Sequence, residues 1–133
     1  MDWQPLIRAA GEARERAHVP YSRFRVGSAL LTAGGGVYSG CNVENRSYGA
    51  TICAERVALG SAVAAGDPKP VAIVVVTDTS PPSLPCGVCL QCLSELAEPD
   101  LPIRLVNPAG ESQEFRLDEL LPHPFVMPPG GLG

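Results

Sequence analysis

Cys53, Ala54 and Glu55 form one short group, and Pro85, Cys86, Gly87, Val88 and Cys89 form another. Each group stands where a loop runs into a helical pattern. Side chains in the first turn of a helix lean toward its N-terminus, so they converge on an object just ahead of the helix axis. Cys53 and Glu55 can therefore share one target, and Cys86 and Cys89, three apart, can reach it from a second helix. The positive end of each helix dipole favours the thiolate, the form of cysteine that binds metal. Zinc takes four tetrahedral ligands, so Cys53, Cys86 and Cys89 leave one position for water, as catalytic sites do and closed structural sites do not. Zinc makes such a water a usable hydroxide. Glu55, held off the metal, is placed to move protons between that water and a substrate.

Arg56 follows from the charge. Three thiolates on a dication leave a net charge of −1, which makes bound water less acidic. A guanidinium hydrogen-bonded to the cysteine sulfurs offsets this. Each residue also has a bland reading. Close cysteines on a helix are often buried core residues, and Cys41 and Cys92 read that way here. A first-turn acid such as Glu55 can simply satisfy a helix dipole. Arg56 can be a surface ion pair worth little. Should Cys41 or Cys92 complete a fourth ligand, the module is a noncatalytic closed zinc site. His18 and His123 fit no ligand position and read as surface or helix-end residues.

The elements that must position these groups follow from periodicity. Leu6, Ile7, Ala10, Ala13 and Ala17 recur at helical spacing, with Asp2 as a cap and Pro5 in the first turn. Val26 to Thr32 and Val37 to Val43 flank a glycine-rich connection and read as an antiparallel hairpin. Cys53 to about Ala65 is alanine-rich and stops at Gly66, Asp67 and Pro68, a second helix. Val71 to Val76 is a continuous apolar run bounded by turn residues, which suits a central strand buried on both faces. Pro81, Pro82 and Pro85 impose a rigid loop, and Gly87 to Leu96 form a third helix. Strands at Ile103 to Val106 and about Glu114 to Leu117 follow, joined by a turn at Asn107 to Gly110. The order α-β-β-α-β-α-β-β predicts a three-layer α/β/α fold with a mixed five-stranded sheet and helices on both faces.

The chain has 133 residues, the size of one domain spanning 1–133, with an extended Pro- and Gly-rich tail over about 122–133. No stretch approaches the roughly 20 apolar residues of a membrane span. The N-terminus runs directly into an amphipathic pattern without a secretory signal, so a reducing cytoplasm is the expected compartment. The net charge is −4 and Lys69 is the only lysine, so no basic face is available for nucleic acid, and a small-molecule partner is favoured.

The Cys-x-Glu and Pro-Cys-x-x-Cys arrangement resembles that of the zinc deaminases, with cysteine in place of histidine as the first ligand. Agreement with the cytidine deaminase family runs through nearly the whole chain: Pro20 to Phe24, Cys41 to Asn45, Ser47 to Gly49, Thr51 to Arg56, then Glu119 to Pro122 and Phe125. This resemblance implies hydrolytic deamination of cytidine and 2'-deoxycytidine, with Glu55 serving the ring and the leaving amine. It implies a homotetramer with one zinc per chain, in which Asn42 and Glu44 hydrogen-bond the ribose and Phe24 packs beside the pyrimidine. The backbone of Ala54 then helps bind the base, while Tyr48 and Phe125 approach from neighbouring chains. One departure stands out: where the family usually follows its last ligand with Arg-Gln-Val, this chain has Leu90, Gln91 and Cys92. Rival readings are a deaminase of another aminopyrimidine such as blasticidin S, and a polynucleotide deaminase, which the acidic balance disfavours.

Overall fold

A computed structural model describes residues 1–131. The elements run α1 (Gln4–Arg14), β1 (Val26–Thr32), β2 (Val37–Cys41), a 3₁₀ turn (Tyr48–Ala50), α2 (Ala54–Ala64), β3 (Pro70–Thr77), α3 (Gly87–Leu96), β4 (Pro102–Val106), β5 (Ser112–Arg116) and α4 (Leu117–Leu120). The strands form one sheet in the order β2-β1-β3-β4-β5. β3 and β4 pair parallel and every other neighbour pairs antiparallel. The mixed five-stranded sheet with helices on both faces is the architecture the sequence predicts.

The central strand shows why. Along β3, Ala72, Val74 and Val76 join Leu6 and Ala10 of α1 in one core, while Ile73 and Val75 join Ala58, Leu59, Leu90 and Leu93 in the other. A strand covered on both sides needs apolar residues at successive positions, and the β-branched run supplies them. One helix, α1, covers the first face, and α2, α3 and α4 lie on the second.

Two glycines set how closely helices approach the sheet. A Cβ on Gly27 of β1 would lie 1.9 Å from the Ala10 carbonyl oxygen of α1. A Cβ on Gly40 of β2 would lie 2.6 Å from both the Ala54 carbonyl oxygen and the Ala58 nitrogen of α2. Both helices therefore rest backbone on backbone against the sheet at these points.

β3, β4 and α2 differ from the sequence reading by single residues at their ends, and four differences are larger. The first helix ends at Arg14, not Ala17, although Ala17 and Val19 stay buried beneath the following loop. Its cap position is Trp3, and Asp2 instead accepts a hydrogen bond from the Gln4 N–H at 3.0 Å. β2 ends at Cys41, because Val43 leaves the ladder for single bridges to His18 and Ile52. β5 is Ser112–Arg116, and Leu117, read as its end, starts α4 because its buried side chain enters the core. The tail has no helix or strand after Leu120 among the described residues, and Leu132 and Gly133 of the expected extended segment lie outside them. Among the described residues no helix is long and apolar enough to cross a membrane.

Candidate metal centre and active site

Cys53 is the cap residue of α2 and Cys86 the cap residue of α3, both in extended backbone, and neither helix has a side-chain cap hydrogen bond. Cys89 lies one turn into α3 and is fully buried. The Cys53 and Cys86 sulfurs stand 3.8 Å apart, those of Cys86 and Cys89 3.5 Å, and all three lie within 4.8 Å of one another. Tetrahedral Zn–S bonds of about 2.3 Å place neighbouring sulfurs about 3.8 Å apart, so the spacing and the soft donors fit zinc. Among the described residues neither Cys41 nor Cys92 joins the group. Cys92 packs against the core on the α2 and α3 face.

Glu55 is 5% exposed beside these thiols. Burial lifts its carboxyl to about 7, the Cys53 thiolate adds to the shift, and Arg56 opposes it. Between Cys53 and Cys89, Cys53 is the one favoured as thiolate. A hydrogen bond from Cys89, with further help from Arg56 and Cys86, brings it down to about 5, and Cys89 is pushed up in turn. Arg56 Nη2 reaches Cys53 Sγ at 3.8 Å and the Thr51 carbonyl at 3.3 Å. Its Nε is buried without a partner among the described residues.

A cavity of about 200 Å³ opens over this group, walled by Phe24, Asn42, Ala54, Glu55, Cys53 and Cys86. The Asn42 Oδ1 accepts from the Val26 N–H at 2.9 Å, and its Nδ2 donates to the Phe24 carbonyl at 2.7 Å. Glu44 and Tyr48 line an adjacent depression of about 410 Å³, and Thr51 borders both spaces. The Glu44 carboxylate accepts from the Tyr21 and Ser22 N–H groups at 3.1 Å each and from the Ser22 hydroxyl. That hydroxyl above all holds Glu44 below the usual carboxylate range, against a smaller opposing effect of burial. Phe125 lines neither space. The residue is 64% exposed, and its backbone is bonded to Gln91 of α3.

The sequence-predicted residues thus fall into three sets: Phe24, Asn42 and Ala54 with Glu55 and the thiols, Glu44 and Tyr48 beside them, and Phe125 apart. Thr77, Ser83 and Leu84 also wall the cavity and were not singled out from sequence. One signal was present, since Ser83 and Leu84 immediately precede Pro85 and Cys86 on the loop that carries a ligand. A larger groove of about 440 Å³ on the α1 face, between Gln4, Ile7, Arg104 and Asn107, holds none of these groups.

The three thiols at two helix starts and the buried carboxylate form a site that could hold a metal ion beside a proton carrier. Residues 2–104 match the family described as the cytidine and deoxycytidylate deaminase zinc-binding region. The cytidine deaminase of Halalkalibacterium halodurans is 52% identical over 126 residues, covering 95% of this chain and 96% of that protein. The crystal structure of cytidine deaminase from Burkholderia pseudomallei has a TM-score of 0.89 at 49% identity, covering 94% of this chain and 100% of that one. The Mycobacterium tuberculosis cytidine deaminase structure has a TM-score of 0.83 at 39% identity, over 96% and 99% respectively. The chain belongs to the cytidine and deoxycytidylate deaminase family.

Proposed function

We propose that the chain catalyses hydrolytic deamination of cytidine and 2'-deoxycytidine to the uracil nucleosides with release of ammonia. The observation that carries this is the buried Glu55 carboxyl sharing one small cavity with the thiols of Cys53 and Cys86, with Phe24 and Asn42 in its walls. The named activity of relatives at 52% and 45% identity supports the same reading.

Cys53, Cys86 and Cys89 would hold one zinc ion per chain. When bound, zinc supplies the Lewis acidity that makes water a nucleophile toward C4 of the pyrimidine. Glu55 takes a proton from the attacking water and passes it to N3 of the ring, then takes the second from the resulting C4 hydroxyl and delivers it to the departing amine. Arg56 offsets the excess negative charge of the thiolates. Phe24 packs beside the base, which the backbone of Ala54 helps to hold. Asn42 keeps one N–H and one lone pair after its bonds to the Phe24 and Val26 backbone, and Glu44 keeps a lone pair on its second oxygen. Those remaining groups serve the ribose hydroxyls.

Residues 1–133 act as one domain, and four copies assemble into a homotetramer in which Tyr48 and Phe125 complete neighbouring sites. Tyr48 at 80% and Phe125 at 64% exposure, with Leu84 and Val88 exposed beside Cys86, supply apolar surface that a partner copy would cover. The acidic charge supports a nucleoside rather than a polynucleotide as substrate, and the free thiols suit the cytoplasm.

Ammonia release from cytidine, deoxycytidine, cytosine, adenosine and blasticidin S tests the reading. Turnover concentrated on cytidine and deoxycytidine is expected. The blasticidin-S deaminase of Bacillus cereus, 32% identical over 109 residues, supports a second reading. Preference for blasticidin S over cytidine selects it.

A further inference from the structure

Both ends of the Gln91 side-chain amide are committed to one residue. Nε2 donates to the Phe125 carbonyl at 2.9 Å, and the Phe125 N–H donates to Oε1 at 2.9 Å. Among the described residues these are the only hydrogen bonds made by 122–127. Pro122 and Pro124 have fixed φ and no N–H, so a single two-point clamp is enough to set the course of this short segment. Gln91 sits two residues beyond Cys89 on α3, so the clamp indexes the tail to the helix that carries two of the thiols. Phe125 is 64% exposed although its backbone is held at both its N–H and its carbonyl.

We propose that Gln91 is a positioning residue for substrate binding: its side-chain amide fixes the backbone of Phe125 and so holds the ring in the place where a nucleoside base is met. The proposal rests on the reading of Phe125 as a substrate-binding residue. An aromatic wall contacts the base in the ground state and the transition state alike, so its misplacement raises KM and leaves kcat nearly untouched. Loss of the two neutral hydrogen bonds should raise KM by about 5- to 25-fold, since each has a net worth of about a factor of five.

The test is a double-mutant cycle on the zinc-loaded enzyme with cytidine as substrate, using Gln91→Leu, Phe125→Ala and the double variant. Zinc content and Tm are measured alongside. Gln91→Leu should raise KM with kcat within about twofold of wild type, and the double variant should match Phe125→Ala. Gln91→Glu keeps the acceptor and loses the donor, so its KM should fall between wild type and Gln91→Leu; it also serves if the leucine variant does not fold. Amide hydrogen exchange at Phe125 should accelerate in Gln91→Leu, which removes the acceptor of its N–H, and less in Gln91→Glu, which keeps it. An unchanged KM in the Gln91 variants while Phe125→Ala raises it overturns the role of Gln91 and leaves that of Phe125 standing. Multiplied effects in the double variant also overturn it, because Gln91 then acts by another route. An unchanged KM in Phe125→Ala removes the reading of Phe125 and the proposal with it.

Discussion

The sulfurs of Cys53 and Cys86 stand 3.8 Å apart although the residues are 33 positions apart in sequence. These thiols would hold zinc only in the folded chain, so its binding free energy would add directly to the stability of the fold. Metal analysis should find about one zinc per chain. Stripping it with a chelator should lower Tm by about 10 °C or more, with recovery when zinc is returned. An unchanged melting curve would remove the ion from the stability of the fold.

Glu55→Gln preserves shape and burial but cannot carry a proton. Its kcat should fall by about 10² to 10⁴ while zinc content and Tm stay near wild type. Near-normal turnover would reduce Glu55 to a helix-start acid.

Arg56 Nη2 lies 3.8 Å from the Cys53 sulfur. Arg56→Asp places a negative charge beside three thiols, and zinc affinity in a competition assay should weaken about 10- to 100-fold. Unaltered affinity would separate Arg56 from the metal.

Glu55→Gln and Phe125→Ala chains should each be poor enzymes. Unfolded and refolded together, they form mixed oligomers with some sites that take Glu55 from one chain and the aromatic wall from the other. Activity above the average of the separate variants is expected. A mixture no better than that average would show that Phe125 works within its own chain or not at all.

The two contact glycines separate stability from catalysis. Gly40→Ala drives a Cβ into the backbone of α2, and Gly27→Ala does the same to α1 on the opposite face. Each should cost about 1 to 3 kcal/mol. Only Gly40→Ala should lower kcat per folded molecule, because α2 carries Cys53 and Glu55. Equal kcat losses in both would show that the sheet transmits the disturbance.

The convergence of the three thiols was legible because a residue type at a first-turn position says where its side chain leans, and their pairing with Glu55 drew also on the resemblance to the zinc deaminases. The five strands were legible because β3 must be apolar on both faces and β1 and β2 flank a glycine-rich turn. The early end of β2 was not, since Val43 is as apolar as a ladder residue and only its bridges to His18 and Ile52 divert it. Nor was the Gln91 to Phe125 clamp, which joins a helix surface to a tail 34 residues later through an amide that could have faced water. Glu44 was read as a ligand through resemblance, and its grip on the Tyr21 and Ser22 amides, set by a loop conformation, has no local pattern to announce it.

Both ligand-bearing helices begin on a cysteine that makes no side-chain cap bond. Ser, Thr, Asp or Asn at such a position commonly contributes about 1 kcal/mol to helix formation. α2 has 11 residues and α3 has 10, below the roughly 12 to 15 at which an isolated helix persists in water. Their first turns therefore have little reason to form before they dock on the sheet. The β1 and β2 hairpin needs only local pairing and can form early, whereas the parallel β3 and β4 pair waits for the crossover through α3. The helix starts that carry the three thiols are therefore expected to be among the last parts of the chain to form.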